Sequence, residues 1–320
     1  MVDPAGRVPR DRPRLSVVIP TYHRTGPLRA LLDTLVLDIG AAGNVEVIIS
    51  DDGSGEEVAA VAEAYRSRLP RLRYVTGENA GPGVARNRGV AAASSDILLF
   101  VDSDCLVERG WAAALAAAIE GGAPIAFGPT RSAVPPLEPF VHSIVFENEL
   151  ITTTNLAIAR KTFEGLGRFR PEISRIAEDR DLFARARAAG IVPAWVAGAV
   201  VIHPPRLKKI RLPISLGRTG SFGDLKAFYA AYPDILAQGV RENRTLLARG
   251  AVKLLAGLTP LGIATFITYG LVRRHQVNHR LSLAGVDFRV PVRDALKYAV
   301  LQPVNDLVRW AVTSAQLGGI

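Results

Sequence analysis

The chain has 320 residues, a formal net charge of +9 and a single cysteine, Cys105. That length buries a large core in one or two domains. The lone cysteine excludes an intrachain disulfide framework and fits a reducing compartment, where Cys105 reads as a small packing residue. Residues 1–13 are rich in Pro and Arg and have no apolar stretch, so they are expected to be a flexible lead-in and not a signal peptide. From Leu15 the pattern alternates. Leu15 to Pro20 reads as a strand, and Pro27 to Leu37 as a helix with Leu28, Leu31, Leu32 and Leu35 on one face. Val45 to Ile49 is a second strand, Glu56 to Arg68 a helix, Leu72 to Val75 a third strand, Gly83 to Ala93 a helix and Ile97 to Val101 a fourth strand. This order predicts an α/β fold with a doubly wound, mostly parallel sheet covered by helices on both faces.

An Ala-rich helix is expected up to Glu120, then strands at Pro124 to Gly128 and Thr152 to Ala159, and a helix from Glu178 to Ala189 that stops at Gly190. Short strands at Ile191 to Val196 and Ala199 to Ile202 complete a domain over residues 14–205. Beyond Pro204 the chain turns basic, helical and apolar. Residues 201–320 hold 17 Lys+Arg and 6 Asp+Glu, a net charge of +11, which leaves −2 for residues 1–200. Such a half is built to meet anions, and its richness in Leu, Ile, Val and Ala favours an anionic membrane surface over nucleic acid. Leu254 to Val272 is a run of 19 residues without a charge, near the length of a membrane span. Basic residues flank it on both sides, so peripheral, re-entrant and single-span placements on the cytoplasmic side of the membrane are all open. A second amphipathic stretch is expected over Ala295 to Val312.

The chemistry is carried by Asp102-Ser103-Asp104, directly after the apolar fourth strand. Open α/β sheets bind ligands at the carboxyl ends of their strands. Two carboxylates there need a cation or hydrogen-bond donors. Oxygen ligands suit Mn²⁺ or Mg²⁺, ions that accompany phosphates. Three other strand ends agree: Pro20-Thr21-Tyr22, Asp51-Asp52-Gly53-Ser54, and Gly81-Pro82-Gly83 opening a helix with Arg86 and Arg88. An Asx turn with Gly53 accounts for one of Asp51 and Asp52.

These segments, with Thr153-Thr154-Asn155, Ala177-Glu178-Asp179-Arg180-Asp181-Leu182 and Val201-Ile202-His203-Pro204, resemble the family 2 glycosyltransferases, which have the GT-A fold. The resemblance covers about residues 14–205. It implies an inverting, nucleoside-diphosphate-sugar-dependent transferase. By this resemblance Pro20, Thr21 and Asp51 hold the nucleotide, Arg86 meets the diphosphate and Asp102 approaches the ribose and the ion. Asp104 is then the main metal ligand with His203 as an additional one, and Thr154 and Asn155 line the donor or acceptor pocket. Asp179 is the general base that deprotonates the acceptor hydroxyl. Solvated charge pairs are the plain alternative for Glu178 and Asp181, which share a face with Arg185, and a solvated helix face is the expectation for Arg88. The family's processive polysaccharide synthases carry a Gln-x-x-Arg-Trp motif, which is absent between Pro204 and Gly239. A non-processive enzyme is therefore expected, with a glycan or lipid-linked acceptor, and no nucleic-acid partner. A nucleotidyltransferase or a non-catalytic nucleotide-sugar-binding protein are the competing readings. A dinucleotide-binding dehydrogenase is disfavoured because Gly81-Pro82-Gly83 lacks a third glycine and follows the third strand, not the first.

Overall fold

The computed structural model describes residues 14–40, 44–132, 141–142, 151–207, 224, 227–228, 230–234, 260–283 and 289–297. The chain divides into two compact units, one of Met1–Ser132 with Ile144–Pro204 and one of Ala133–Ser143 with Pro205–Ile320.

The first unit is built on a sheet of seven strands: β1 (Leu15–Thr21), β2 (Val45–Asp51), β3 (Leu72–Thr76), β4 (Ile97–Val101), β6 (Ile125–Phe127), β9 (Asn155–Ala159) and β10 (Ala194–Trp195). Their order is β10-β6-β9-β4-β1-β2-β3. β9 runs antiparallel to both β4 and β6, and the remaining pairs are parallel. The order reverses between β1 and β4, which leaves a crevice at their carboxyl ends.

The alternation along each strand explains the two-layer cover. Val17, Ile19, Val47, Ile49, Leu99 and Val101 join one core with α1 (Thr25–Ile39), α2 (Glu56–Tyr65) and α4 (Trp111–Glu120). Val18, Ile48, Leu98 and Phe100 face the other way, against α3 (Pro82–Ala92), α5 (Arg160–Gly165) and α6 (Glu178–Ala188). Period-2 side-chain alternation in strands buried on both faces calls for apolar residues at most positions, as in β4, while Ser16 and Glu46 are buried in β1 and β2 and hydrogen-bond each other. The helix α3 reaches β1 through Gly89, where a Cβ would meet Val18 Cγ1 at 2.5 Å.

A smaller sheet of β5 (Leu106–Val107), β11 (Val201–Ile202) and β7 (Thr130–Arg131) adjoins the crevice, with β11 antiparallel to β5 and parallel to β7. The strands expected over Ile191 to Val196 and Ala199 to Ile202 are thus shorter, at two residues each.

In the second unit β12 (Arg206–Leu207) pairs antiparallel with β8 (Val141–His142). A helix spans Pro260–Leu283. It opens on a proline, which suits the first turn because the missing N–H has no partner there anyway. It takes up residues 260–272 of the expected apolar run and then continues through Arg273, Arg274 and Arg280. Among the described residues no helix is long and apolar enough to cross a membrane. Tyr269, Leu271 and Val272 on this helix are exposed. The lead-in 1–13, residues 254–259 of the apolar run and 298–312 of the amphipathic stretch lie outside the described residues.

Candidate active site

Four segments meet at the crevice: the ends of β1 and β4, the start of β9, and the amino end of α6. The antiparallel entry of β9 matters here. Pairing of Val101 with Asn155 puts the start of β9 at the carboxyl end of β4. Thr154, just before it, donates its hydroxyl to Asp102 Oδ2 at 2.9 Å.

Asp102 is held from its other side by Arg86. The Arg86 guanidinium is 3% exposed and bridges two elements, with Nη2 to Asp102 Oδ1 at 2.7 Å and Nη1 to Glu178 Oε1 at 2.9 Å. Its Cζ stands 5.7 Å from the centre of the Phe169 ring. Burial pushes the Asp102 carboxyl up, but the charge of Arg86 and the hydrogen bonds from Arg86 and Thr154 outweigh it and hold the group below its ordinary range. Burial likewise pushes Glu178 up; Arg86 pulls it back without cancelling the shift, and Asp179 adds to it. Arg86, expected by the resemblance to meet a diphosphate, here pairs with two carboxylates of the protein. A buried guanidinium is stable only when paired in this way.

Asp104 is handled differently. Its Oδ2 accepts a hydrogen bond from Arg24 Nη1 and lies 3.7 Å from His203 Nε2. His203 arrives through the small sheet: Val201 pairs with Val107 and Ile202 with Leu106, so the register carries the next residue of β11 toward Cys105. Ligand atoms of Asp104, Cys105 and His203 all lie within 4.8 Å of one another. A carboxylate oxygen, an imidazole nitrogen and a thiol at that spacing fit a divalent cation. Asp102 lies outside this cluster, and its two oxygens accept from Arg86 Nη2 and Thr154 Oγ1. Cys105 is completely buried and belongs to the apolar core, as a packing residue should, but its sulfur also borders the cation donors.

The helix α6 starts with Glu178, Asp179 and Asp181 in its first turn, where the helix dipole favours negative charge. It is entered through Ala177 at φ 66, a left-handed conformation uncommon for a residue with a Cβ. Asp179 is half-buried and accepts from its neighbour's backbone, Arg180 N, at 2.7 Å. Burial pushes its carboxyl up; the Arg180 N–H, Arg86 and Arg180 oppose this, and the charge of Asp102 adds to it. The electrostatic influence of Asp102 and Arg86 on Asp179 links α6 to the Asp102 side of the crevice. Asp181 and Glu178 are not solvated, contrary to the plain expectation. Asp181 is fully buried, with Arg185 Nε at 3.0 Å and Arg170 Nη1 at 3.3 Å.

Asp51 is fully buried and accepts from Tyr74 Oη at 2.8 Å and from Ser54 N at 3.1 Å. It therefore makes the Asx-type turn. Asp52 turns to the loop before α3, accepting from Ala80 N at 3.0 Å and Gly81 N at 2.8 Å. Gly81, at φ 100, and Gly83 allow the loop around Ser174 to come close, since Cβ atoms there would meet Ser174 atoms at 2.9 Å and 3.2 Å. The first N–H groups of α3 accordingly go to Ser174, from Gly83 N at 2.9 Å and Val84 N at 2.8 Å. Pro20 is buried in β1, and Thr21 is 4% exposed with an Oγ1 that has no hydrogen-bond partner among the described residues. A buried hydroxyl without a partner at a strand end is suited to a ligand.

Two further expectations are corrected. Asn155 does not line a donor pocket: it accepts from Trp111 Nε1 at 2.8 Å and donates to Pro129 O at 2.9 Å and Ala199 O at 2.7 Å. Adjacent side chains at the start of a strand point to opposite faces, so Thr154 meets the site and Asn155 the core. Arg88 is not on a solvated face; it donates to Asp51 O at 2.8 Å and Glu78 O at 3.2 Å. The sequence does not point to Arg24, to Thr154 as a partner of Asp102, to Glu178 as a partner of Arg86, or to Cys105 as a neighbour of the cation donors. The spacing of Arg24 three residues past Thr21 was the one available hint.

The mostly parallel sheet, with paired acidic residues and a His at its carboxyl edge, has the GT-A type of fold. Residues 16–170 match the family model described as glycosyl transferase family 2. Validoxylamine A glucosyltransferase of Streptomyces hygroscopicus subsp. jinggangensis is 41% identical over 114 residues, 35% of this chain and 27% of the relative. Poly(ribitol-phosphate) beta-N-acetylglucosaminyltransferase TarS of Staphylococcus aureus is 30% identical over 97 residues, 30% of this chain and 17% of the relative. These matches thus span under a third of either relative's length. The crystal structure of S. aureus TarS superposes with a TM-score of 0.50 at 21% identity, covering 60% of this chain and 36% of that one. That of GalNAc-T7 with UDP, GalNAc and Mn²⁺ gives 0.51 at 16% identity, covering 63% and 46%.

Proposed function

We propose that the protein is a non-processive, inverting glycosyltransferase that moves a sugar from a nucleoside-diphosphate sugar to an acceptor hydroxyl. The observation that carries this reading is Asp179. It is a half-buried carboxylate at the amino end of α6, spared the direct ion pair that binds Glu178, and within electrostatic reach of Asp102. Its raised pKa makes it a better proton acceptor than an ordinary aspartate.

In this mechanism Asp179 takes the proton of the acceptor hydroxyl as the acceptor oxygen bonds to the anomeric carbon. The bond from that carbon to the diphosphate oxygen breaks, its electron pair leaves with the nucleoside diphosphate, and configuration inverts. Asp104 and His203 would hold a divalent cation, which supplies charge neutralisation for the departing diphosphate. An imidazole nitrogen beside the carboxylate suits Mn²⁺ better than Mg²⁺. Arg86 and Thr154 fix the rotamer of Asp102, so the carboxylate at the end of β4 keeps one orientation. Thr21, with its unused hydroxyl, and Pro20 line the nucleotide side.

The acceptor in this reading is a lipid-linked or cell-envelope glycan. TarS acts, by its name, on poly(ribitol-phosphate), an anionic polymer. The net charge of +11 over residues 201–320 suits an anionic acceptor or an anionic membrane surface on the cytoplasmic side. The exposed Tyr269, Leu271 and Val272 beside Arg273 and Arg274 suit a peripheral contact.

The test is a panel of nucleotide sugars with Mn²⁺, Mg²⁺ or EDTA, read by release of nucleoside diphosphate. Metal-dependent release from one donor, lost in Asp104→Ala and Asp179→Asn, is the expected result. Release that survives Asp179→Asn would refute the assignment of the base. No release and no metal-dependent nucleotide binding would favour a non-catalytic protein.

A further inference from the structure

Two arginines hold the two carboxylates of Asp102-Ser103-Asp104, and they are not alike. Arg86 is buried and fixed by Glu178 as well. Arg24 has a side chain 39% exposed and pairs with Asp104, whose side chain is 13% exposed. The oxygen it holds is Oδ2, the same atom that faces His203 Nε2 at 3.7 Å. The backbone beside Arg24 is anchored: His23 N donates to Ser54 Oγ at 2.8 Å, His23 Nδ1 lies 2.7 Å from Glu57 Oε1, and Arg24 O accepts from Leu28 N at 3.0 Å. Only the Arg24 side chain is therefore required to move, and its exposure gives it solvent to move into.

We propose that Arg24 is a built-in competitor of the cation at Asp104. A guanidinium and a divalent ion held on one carboxylate oxygen at close range repel each other and compete for its negative charge. Binding of the ion to Asp104 and His203 therefore requires Arg24 to swing off Oδ2. The site binds metal more weakly with Arg24 than without it, and a released Arg24 is a free cation at the mouth of a crevice suited to phosphate. The inference rests on the reading that Asp104 and His203 hold the metal.

The experiment uses the full chain and Mn²⁺ alone, with binding followed by electron paramagnetic resonance of the free ion. Arg24→Gln, Arg24→Ala, Asp104→Ala and wild type are compared at ~0.1 M salt, where charges more than about 10 Å away are screened. Losing a charge-assisted hydrogen bond to the ligand oxygen predicts Mn²⁺ binding about 10-fold tighter in both Arg24 variants. A gain in affinity is not an outcome that misfolding produces. Equal or weaker binding in both Arg24 variants, with binding lost in Asp104→Ala, would overturn this inference and leave the metal reading standing. Binding that survives in Asp104→Ala would overturn the metal reading and this inference with it.

Discussion

Replacing Arg86 with Met probes the strut between β4 and α6. Met fills much of the same volume and packs on Phe169, whose ring centre is 5.7 Å from the guanidinium carbon. The substitution removes two charge-assisted hydrogen bonds, 2.7 Å to Asp102 and 2.9 Å to Glu178. It leaves two carboxylates whose side chains are 28% and 11% exposed. Breaking a buried ion pair from one side costs about 3–5 kcal/mol, because the partner charge stays behind. Both carboxyls then rise above the ordinary range. A carboxyl whose folded pKa is raised costs stability only while ionised; the penalty is absent below the unfolded pKa and grows as pH rises through the folded value. Urea unfolding followed by tryptophan fluorescence should therefore show a loss of about 3–5 kcal/mol at pH 8 that shrinks toward pH 4. A second variant, Arg86→Met with Glu178→Gln, should recover part of the loss at pH 8 by neutralising one stranded charge. A loss below about 1 kcal/mol at pH 8, or one equal at pH 4 and pH 8, would refute the strut.

Asp179→Asn should slow sugar transfer at least about 100-fold while leaving nucleotide binding intact. Because burial raises its folded pKa above the ordinary 3.8, the same variant should be more stable than wild type at pH 8, with the difference vanishing below pH 4; a difference independent of pH would contradict the burial. Asn155→Ala should cost about 3 kcal/mol or more in urea by stranding Trp111 Nε1 and two carbonyls, with the donor KM unchanged in whatever protein folds; a donor KM raised with stability intact would restore the pocket assignment. Gly89→Ala should cost about 1–3 kcal/mol by overpacking Val18, seen as a lower urea midpoint with an unchanged slope.

The alternation of apolar strands and helical stripes was legible because a sheet covered on both faces needs apolar residues at most strand positions. The acidic motifs were legible because they close strands, where carboxylates have few other reasons to be. The register between strands distant in the chain was not. The antiparallel entry of β9 is a long-range choice, and it alone decided that Thr154 faces the site while Asn155 faces Trp111. The pairing of β11 with β5 alone decided that His203 reaches Asp104. Local sequence also could not say which carboxylate each arginine meets. Arg88 is read locally as a solvated cation and Arg86 as a partner of a diphosphate, yet Arg86, Arg88 and Arg24 are each drawn to the anion or carbonyl the tertiary fold leaves beside it. Elements follow from local periodicity. Charge pairing follows from burial, because an ion removed from water must find its partner across the fold.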